Sequence, residues 1–255
     1  MDKRQLEELE LAGVAALYRL ADAPAASAPA IAEPPDSEAS REMPVTRATA
    51  EAPVAYVAPP ALDGARATIA AMDWDELEAA TRACKACGLC QQRRQAVFGV
   101  GHRAAPWLFV GEGPGADEDA QGEPFVGQAG RLLDSMLAAL GLQRGREVYI
   151  ANVVKCRPPG NRTPLPEEAA ACAPFLDRQI ELIRPKLIVA MGKTAAIRFL
   201  NTEASLASLR GRLHRYRDTP LVVTYHPAYL LRNLPDKAKA WEDLVYARRM
   251  LRAAA

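Results

Sequence analysis

The sequence predicts an α/β fold, a three-layer α/β/α sandwich around a mainly parallel four-stranded sheet. Three observations predict it. Short β-like runs alternate with helical segments over residues 73–255; three of the four runs are almost wholly apolar, the pattern of strands covered on both faces; and each run leads directly into a polar loop. A chain of 255 residues, 49% of them hydrophobic, is long enough to bury a full core.

In chain order, Leu6, Leu9, Leu11, Val14, Leu17 and Leu20 recur at helical spacing among charges, so residues 1–22 are expected to form an amphipathic helix. Its apolar face suits docking on a protein partner, and a bare extension is the alternative. Residues 23–72, dominated by Ala, Pro, Ser and Glu, have the composition of a disordered linker. Within 73–255 the expected strands are Trp107–Val110, Val148–Val154, Lys186–Met191 and Leu221–Tyr225. Helices are expected near 129–140, 166–184, 193–200 and 236–253. No internal repeat is evident.

The charge balance excludes some partners. A formal net charge of +1 gives no global attraction to nucleic acid, so any such binding must come from a local basic face. No run approaches the roughly 20 apolar residues of a membrane span, and the N-terminus "MDKRQLEELELAG" is charged where a signal peptide is apolar, so a cytoplasmic, monomeric protein without membrane contact is expected. Five cysteines, an odd number, favour metal ligation over a disulfide framework in such a compartment.

Ligands of open parallel sheets bind beyond the carboxyl ends of the strands. The polar loops following these strands are "GEGPG", "NVVKCRPPGNRTP", "GKT" and "YHPAYLLRN", which puts Glu112, Asn152 and His226 on one rim. Singly each has an ordinary structural explanation, as does Phe125; the shared placement is the signal. The first loop opens like a phosphate-binding turn, yet residues 111–134 carry Glu112, Asp117, Glu118, Asp119, Glu123 and Asp134, which would repel an anion. The GxxxxGK[ST] pattern is also missing, which disfavours a nucleotide phosphate. An aromatic face, an amide and a histidine instead suit a flat neutral heterocycle. Asn152 has the donors and acceptor to meet the O4 and N3–H edge of a uracil, and Phe125 offers a stacking surface.

"GEGPGADEDAQGEPFVGQAGRLLD", "NVVKCRPPGNRTP" and "HPAYLLRN" resemble the three signature regions of family 4 uracil-DNA glycosylases, the iron–sulfur type, over residues 80–250. The resemblance implies release of uracil from single- or double-stranded DNA, leaving an abasic site. It implies that Glu112 and Gly113 border the base, Phe125 stacks on it, Asn152 reads its Watson–Crick edge, His226 faces O2, and Glu118 lies near the edge where thymine carries a methyl group. His226 and Glu112 are the expected catalytic residues. Other uracil glycosylases place an Asp where Gly113 stands, so leaving-group stabilisation is expected to dominate here. Lys155, Arg157, Arg162 and Arg232 are expected to meet DNA phosphates, with Leu230 and Leu231 as a wedge into the vacated stack. The basic run Arg210–Arg217 is either part of that face or a solvated hairpin.

Cys84 and Cys87 form a CxxC, and Cys156 and Cys172 come from a distant segment; four thiolates suit either structural zinc or an iron–sulfur cluster. The resemblance implies a structural [4Fe–4S] cluster on these four, with zinc the minor alternative and Cys90 to spare. A non-catalytic iron–sulfur module that binds DNA or a polymerase is the alternative function. A related suicide variant bonds covalently to DNA through a histidine in a basic insertion after the first motif, which this chain lacks.

Overall fold

The computed structural model describes residues 61–253. The amphipathic helix expected over 1–22 and most of the expected linker lie outside them. The end of that linker is helical: α1 spans Ala61–Ala71 and is followed by α2, Trp74–Ala83. Leu62 and Ile69 are the only large apolar residues in the α1 sequence, which is why composition alone reads as linker. Asp73 begins α2 with a capping box, its carboxylate accepting from the backbone of Asp75 and Glu76.

The sheet has six strands, two more than expected. In chain order they are β1 (Val100–Gly101), β2 (Trp107–Gly111), β3 (Val148–Asn152), β4 (Leu187–Met191), β5 (Leu213–Tyr216) and β6 (Thr219–Thr224). Their spatial order is β1-β3-β2-β4-β6-β5. The four expected strands form the parallel centre, and the two extra strands are short antiparallel edges. Two-residue β1 is too short for a periodic signal, and β5 alternates half-buried with exposed positions, so neither reads as an apolar run.

Every residue of β2, β3 and β4 is buried. Alternate side chains feed two cores. Leu108, Val110, Tyr149, Ile188 and Val223 pack with Phe175, Leu176 and Ile180 of α5, Pro166–Ile183, and with Phe199 of α6, Lys193–Leu200. Trp107, Phe109, Ile150, Val189 and Val222 pack on the opposite face with Leu133 and Leu137 of α4, Gln128–Ala139, and with Leu244 of α9, Asp236–Ala253. Three short helices complete the order: α3 (Ala116–Gln121), α7 (Leu206–Leu209) and α8 (Pro227–Leu230). No helix among the described residues is long and apolar enough to cross a membrane.

Candidate functional site

The register aligns the ends of the central strands. Gly111 pairs with Asn152, and Met191 with Thr224. The β2–β3 pairing continues past the strand ends, with Val153 N–H donating to Gly111 O at 3.0 Å and Val154 N–H to Glu112 O at 3.1 Å. A cleft of about 820 Å³ opens on this rim, lined by Glu112, Gly113, Glu118, Phe125, Asn152 and His226 together with Arg162, Lys193, Tyr225 and Arg232. Residues more than a hundred positions apart in sequence therefore share one cavity.

Phe125 is 6% exposed and adopts a left-handed backbone conformation, φ +58°, which costs free energy for any residue with a β-carbon. Its surroundings impose it. The Glu118 carboxylate accepts from the backbone N–H groups of Val126, at 3.0 Å, and Gly127, at 3.1 Å, while its other oxygen accepts from Gly115 at 3.0 Å. On the far side Arg144 donates to the carbonyls of Pro124, at 2.8 Å, and Phe125, at 2.9 Å, and is itself anchored on Asp134. Gly130 lies so close beneath the turn that a Cβ there would collide with the Phe125 carbonyl. The phenyl ring faces the His226 imidazole, with centroids 5.4 Å apart and planes at 29°.

The acidic loop is thus an internal cap. Asp119, 3% exposed, accepts from the backbone of Arg94 at 2.9 Å, and Glu112 accepts from the Thr194 hydroxyl. Asp117 and Glu123 remain exposed. Glycine is required where chains converge on the rim. A Cβ on Gly111 would lie 2.6 Å from both Asn152 Oδ1 and Phe125 Cζ, and one on Gly113 would lie 2.8 Å from a Val154 methyl.

Asn152 is 2% exposed, and its Oδ1 is buried without a hydrogen-bond partner. A buried acceptor without a partner costs free energy until a donor arrives. His226 precedes α8, and its Nδ1 accepts from Ala228 N–H at 3.2 Å, so in the neutral ring the proton sits on Nε2. Burial, reinforced by the Arg232 charge and opposed by Glu118, lowers its pKa to about 4. At neutral pH the cleft therefore holds an uncharged N–H donor.

Several phosphate-binding expectations need correction. Lys155 is 1% exposed and cannot reach DNA; its ammonium donates to the Asn152 main-chain carbonyl at 3.1 Å and to Gln179 at 2.6 Å, and burial lowers its pKa to about 8. Leu230, 1% exposed, is core and no wedge, whereas Leu231 is 40% exposed and adjoins Arg232 in the chain. Arg162 lines the cleft but forks onto the buried Glu168 at 2.7 and 2.8 Å, so it braces its own loop. Arg157 bonds Asn161 and lies outside the cleft lining, and Arg232 lines the cleft. In the basic run, Arg210 pairs with buried Asp243 and is itself largely buried, so it is not a solvated surplus cation, while Arg217 pairs with Glu181 at the surface.

All five cysteines line a second cavity, with Arg93, Lys155 and Phe175. Arg93 donates to Cys156 Sγ at 2.7 Å and to the carbonyls of Arg82 and Cys84, and Lys155 N–H donates to Cys172 Sγ at 3.3 Å. Burial raises the thiols of Cys87 and Cys156 and pushes Cys172 up to about 12. Buried thiols with N–H donors aimed at sulfur fit ligation, which stabilises the thiolate. Among the described residues no three His, Cys, Asp or Glu side chains stand close enough to grip one ion.

The family model for the uracil-DNA glycosylase superfamily matches residues 98–245. The chain belongs to this superfamily, in its type-4 branch. It is 45% identical to the type-4 uracil-DNA glycosylase of Thermotoga maritima over 173 residues, 66% of this chain and 90% of that protein. It is 42% identical to the Archaeoglobus fulgidus enzyme over 165 residues, 62% and 82% of the two chains. The Sulfurisphaera tokodaii enzyme is 45% identical over 169 residues, 63% and 76%. Sequence reasoning gave no role to Arg144, Gly130 and Thr194, which support the cleft, or to Arg93, which bonds Cys156. Each acts through backbone or through another side chain, and only three-dimensional proximity reveals them.

Two outcomes follow from this geometry. Gly130→Ala should cost about 1–3 kcal/mol of stability in urea melts, the usual range for overpacking. The unfolded chain protonates His226 near pH 6.5 and the folded chain only near 4, so this residue's contribution to stability falls as pH drops from 6.5 through 4. Melts at pH 7 and 4.5 should show a smaller acid-induced loss for His226→Gln than for the native chain.

Proposed function

We propose that the cleft takes a uracil extruded from DNA and that the protein hydrolyses its N-glycosidic bond, leaving an abasic site. As a member of the type-4 branch the protein is a uracil-DNA glycosylase, an enzyme of uracil-excision DNA repair. The orphaned Oδ1 of buried Asn152 carries the assignment to this pocket: it is an acceptor that the N3–H of uracil satisfies, while cytosine presents a lone pair at the same atom. The side-chain amide of Asn152 then faces O4, and Phe125 supplies the flat apolar wall.

Bond cleavage leaves positive character on the sugar and an electron pair on uracil, delocalised over O2 and O4. His226 Nε2–H, neutral at working pH, donates to O2 as that charge builds; one well-placed donor is worth about 3–4 kcal/mol in the transition state. Glu112 lines the same cleft and is the candidate for positioning water or stabilising the cationic sugar. Glu118 is a poorer candidate for that role, since both its oxygens already accept backbone N–H groups. Exposed Leu231 and, in the cleft lining, Arg232 suit a wedge and a phosphate contact during base extrusion, and Lys193 is a further exposed cation in the lining.

Cys84, Cys87, Cys156 and Cys172 are the proposed ligands of a structural [4Fe–4S] cluster. When bound it would tie the segment before β1 to the loop after β3, stabilising the rim without taking part in hydrolysis. DNA affinity and stability would then fall together on its loss.

The test is incubation with a uracil-containing oligonucleotide followed by alkali. Strand scission at uracil, with absorbance near 400 nm for the cluster, is expected; intact strands would refute the assignment. His226→Ala should slow uracil release by roughly 100-fold or more, the usual cost of a lost charge-stabilising donor, with little change in DNA affinity. Asn152→Asp should shift preference toward cytosine, whose N4 amine suits an acceptor-only group; competition between the two substrates measures it.

A further inference from the structure

The turn between β4 and α6, Gly192-Lys193-Thr194, belongs to no recognised motif of the sequence, yet it touches both groups to which the proposed reaction assigns chemistry. Gly192 has φ +90°, its N–H donates to Thr224 O at 2.8 Å, and a Cβ on it would stand 3.1 Å from His226 Cβ. Two residues on, the Thr194 hydroxyl donates to Oε2 of Glu112 across 82 positions of sequence. Thr194 itself does not line the cleft.

We infer that Thr194 is a positioning residue, which fixes the Glu112 carboxylate so that its second oxygen receives the proton of the attacking water. The inference rests on the glycosylase reading of the cleft and deepens it by ordering one catalytic group. The main chain at Glu112 is already pinned by the Val154 N–H. That leaves the side-chain torsions free, and the Thr194 hydrogen bond removes that freedom at one oxygen. An ionised carboxylate has about four lone-pair sites. Oε1 accepts nothing from the described residues, so a water is the natural donor to it.

In the step this serves, the water oxygen forms a bond to C1′ of the sugar and its proton passes to Glu112 Oε1. The C1′–N1 bond breaks with its electron pair going to uracil, which is held at O2 by His226. Glu112 returns its proton to solvent or to the departed uracil anion, so the sum is hydrolysis by one water with no other reactant. A carboxylate that swings freely presents the right lone pair for only part of the time, and poor aim at this step lowers the rate with little effect on binding.

The structural alternative is that Thr194 merely caps the start of α6. The two are separated by single-turnover kinetics on a uracil oligonucleotide with saturating enzyme, alongside DNA affinity, for Thr194→Val, Thr194→Ser, Glu112→Gln and the double variant. Thr194→Val should slow the chemical step roughly 10- to 100-fold, with DNA affinity within about threefold of native. Thr194→Ser, which keeps the hydroxyl, should stay near the native rate. Adding Thr194→Val to Glu112→Gln should cost little more, since the residue acts through that carboxylate. Native chemistry in Thr194→Val, or an equal further loss in the Glu112→Gln background, would overturn the inference and leave the glycosylase assignment standing. Full rate in Glu112→Gln would likewise overturn the inference alone, whereas absence of uracil release by the native protein would remove the reading beneath it, and the inference with it.

Discussion

The central strands have no solvent-facing side. Every position in β2, β3 and β4 is buried, and all but the terminal Gly111 and Asn152 belong to one of two apolar cores, so polar side chains on these segments are confined to the ends. Because the strands are parallel and end nearly in register, the expelled groups gather on one rim. Glu112, Asn152 and His226 are the first polar residues past that limit or on it. The gathering of these side chains on one rim is thus a by-product of two-sided burial.

The same constraint explains the acid-rich first loop. Once the chain leaves β2 it turns sharply, and its backbone N–H groups lose their ladder partners. Carboxylates replace those partners: Glu118 takes three N–H groups and Asp119 takes that of Arg94. Glu112, Glu118, Asp119 and Asp134 are thus engaged by protein donors, Asp117 and Glu123 stay exposed, and Lys193 and Arg232 line the cleft as cations.

Much of this was legible in the sequence. The central strands and major helices follow from apolar runs and helical periodicity, and their observed bounds differ from expectation by only a few residues. Glu112, Asn152 and His226 are legible because loops after parallel strands converge, whereas Gly113 and the stacking role of Phe125 come with the family resemblance. The rest was hidden for physical reasons. Lys155 looks like a phosphate contact because sequence shows a charge but not its burial, and here Gln179, 24 residues away, supplies the acceptor that makes burial tolerable. Arg144 lies in an unremarkable loop and matters only through carbonyl oxygens. The edge strands and α1 lack a strong apolar pattern, since each draws its order from the partner it packs on.

The turn at Phe125 places a ring in a conformation that an isolated peptide would rarely visit, and Glu118 and Arg144 hold it from both sides. Its rigidity is settled when the chain folds, before any nucleic acid arrives. In the proposed reaction a base entering the cleft meets a plate already at rest, and the entropy of stilling that side chain is not charged against association. What remains for the encounter is the distortion of the DNA itself, so the ease of unstacking at a given site should govern how readily it is found.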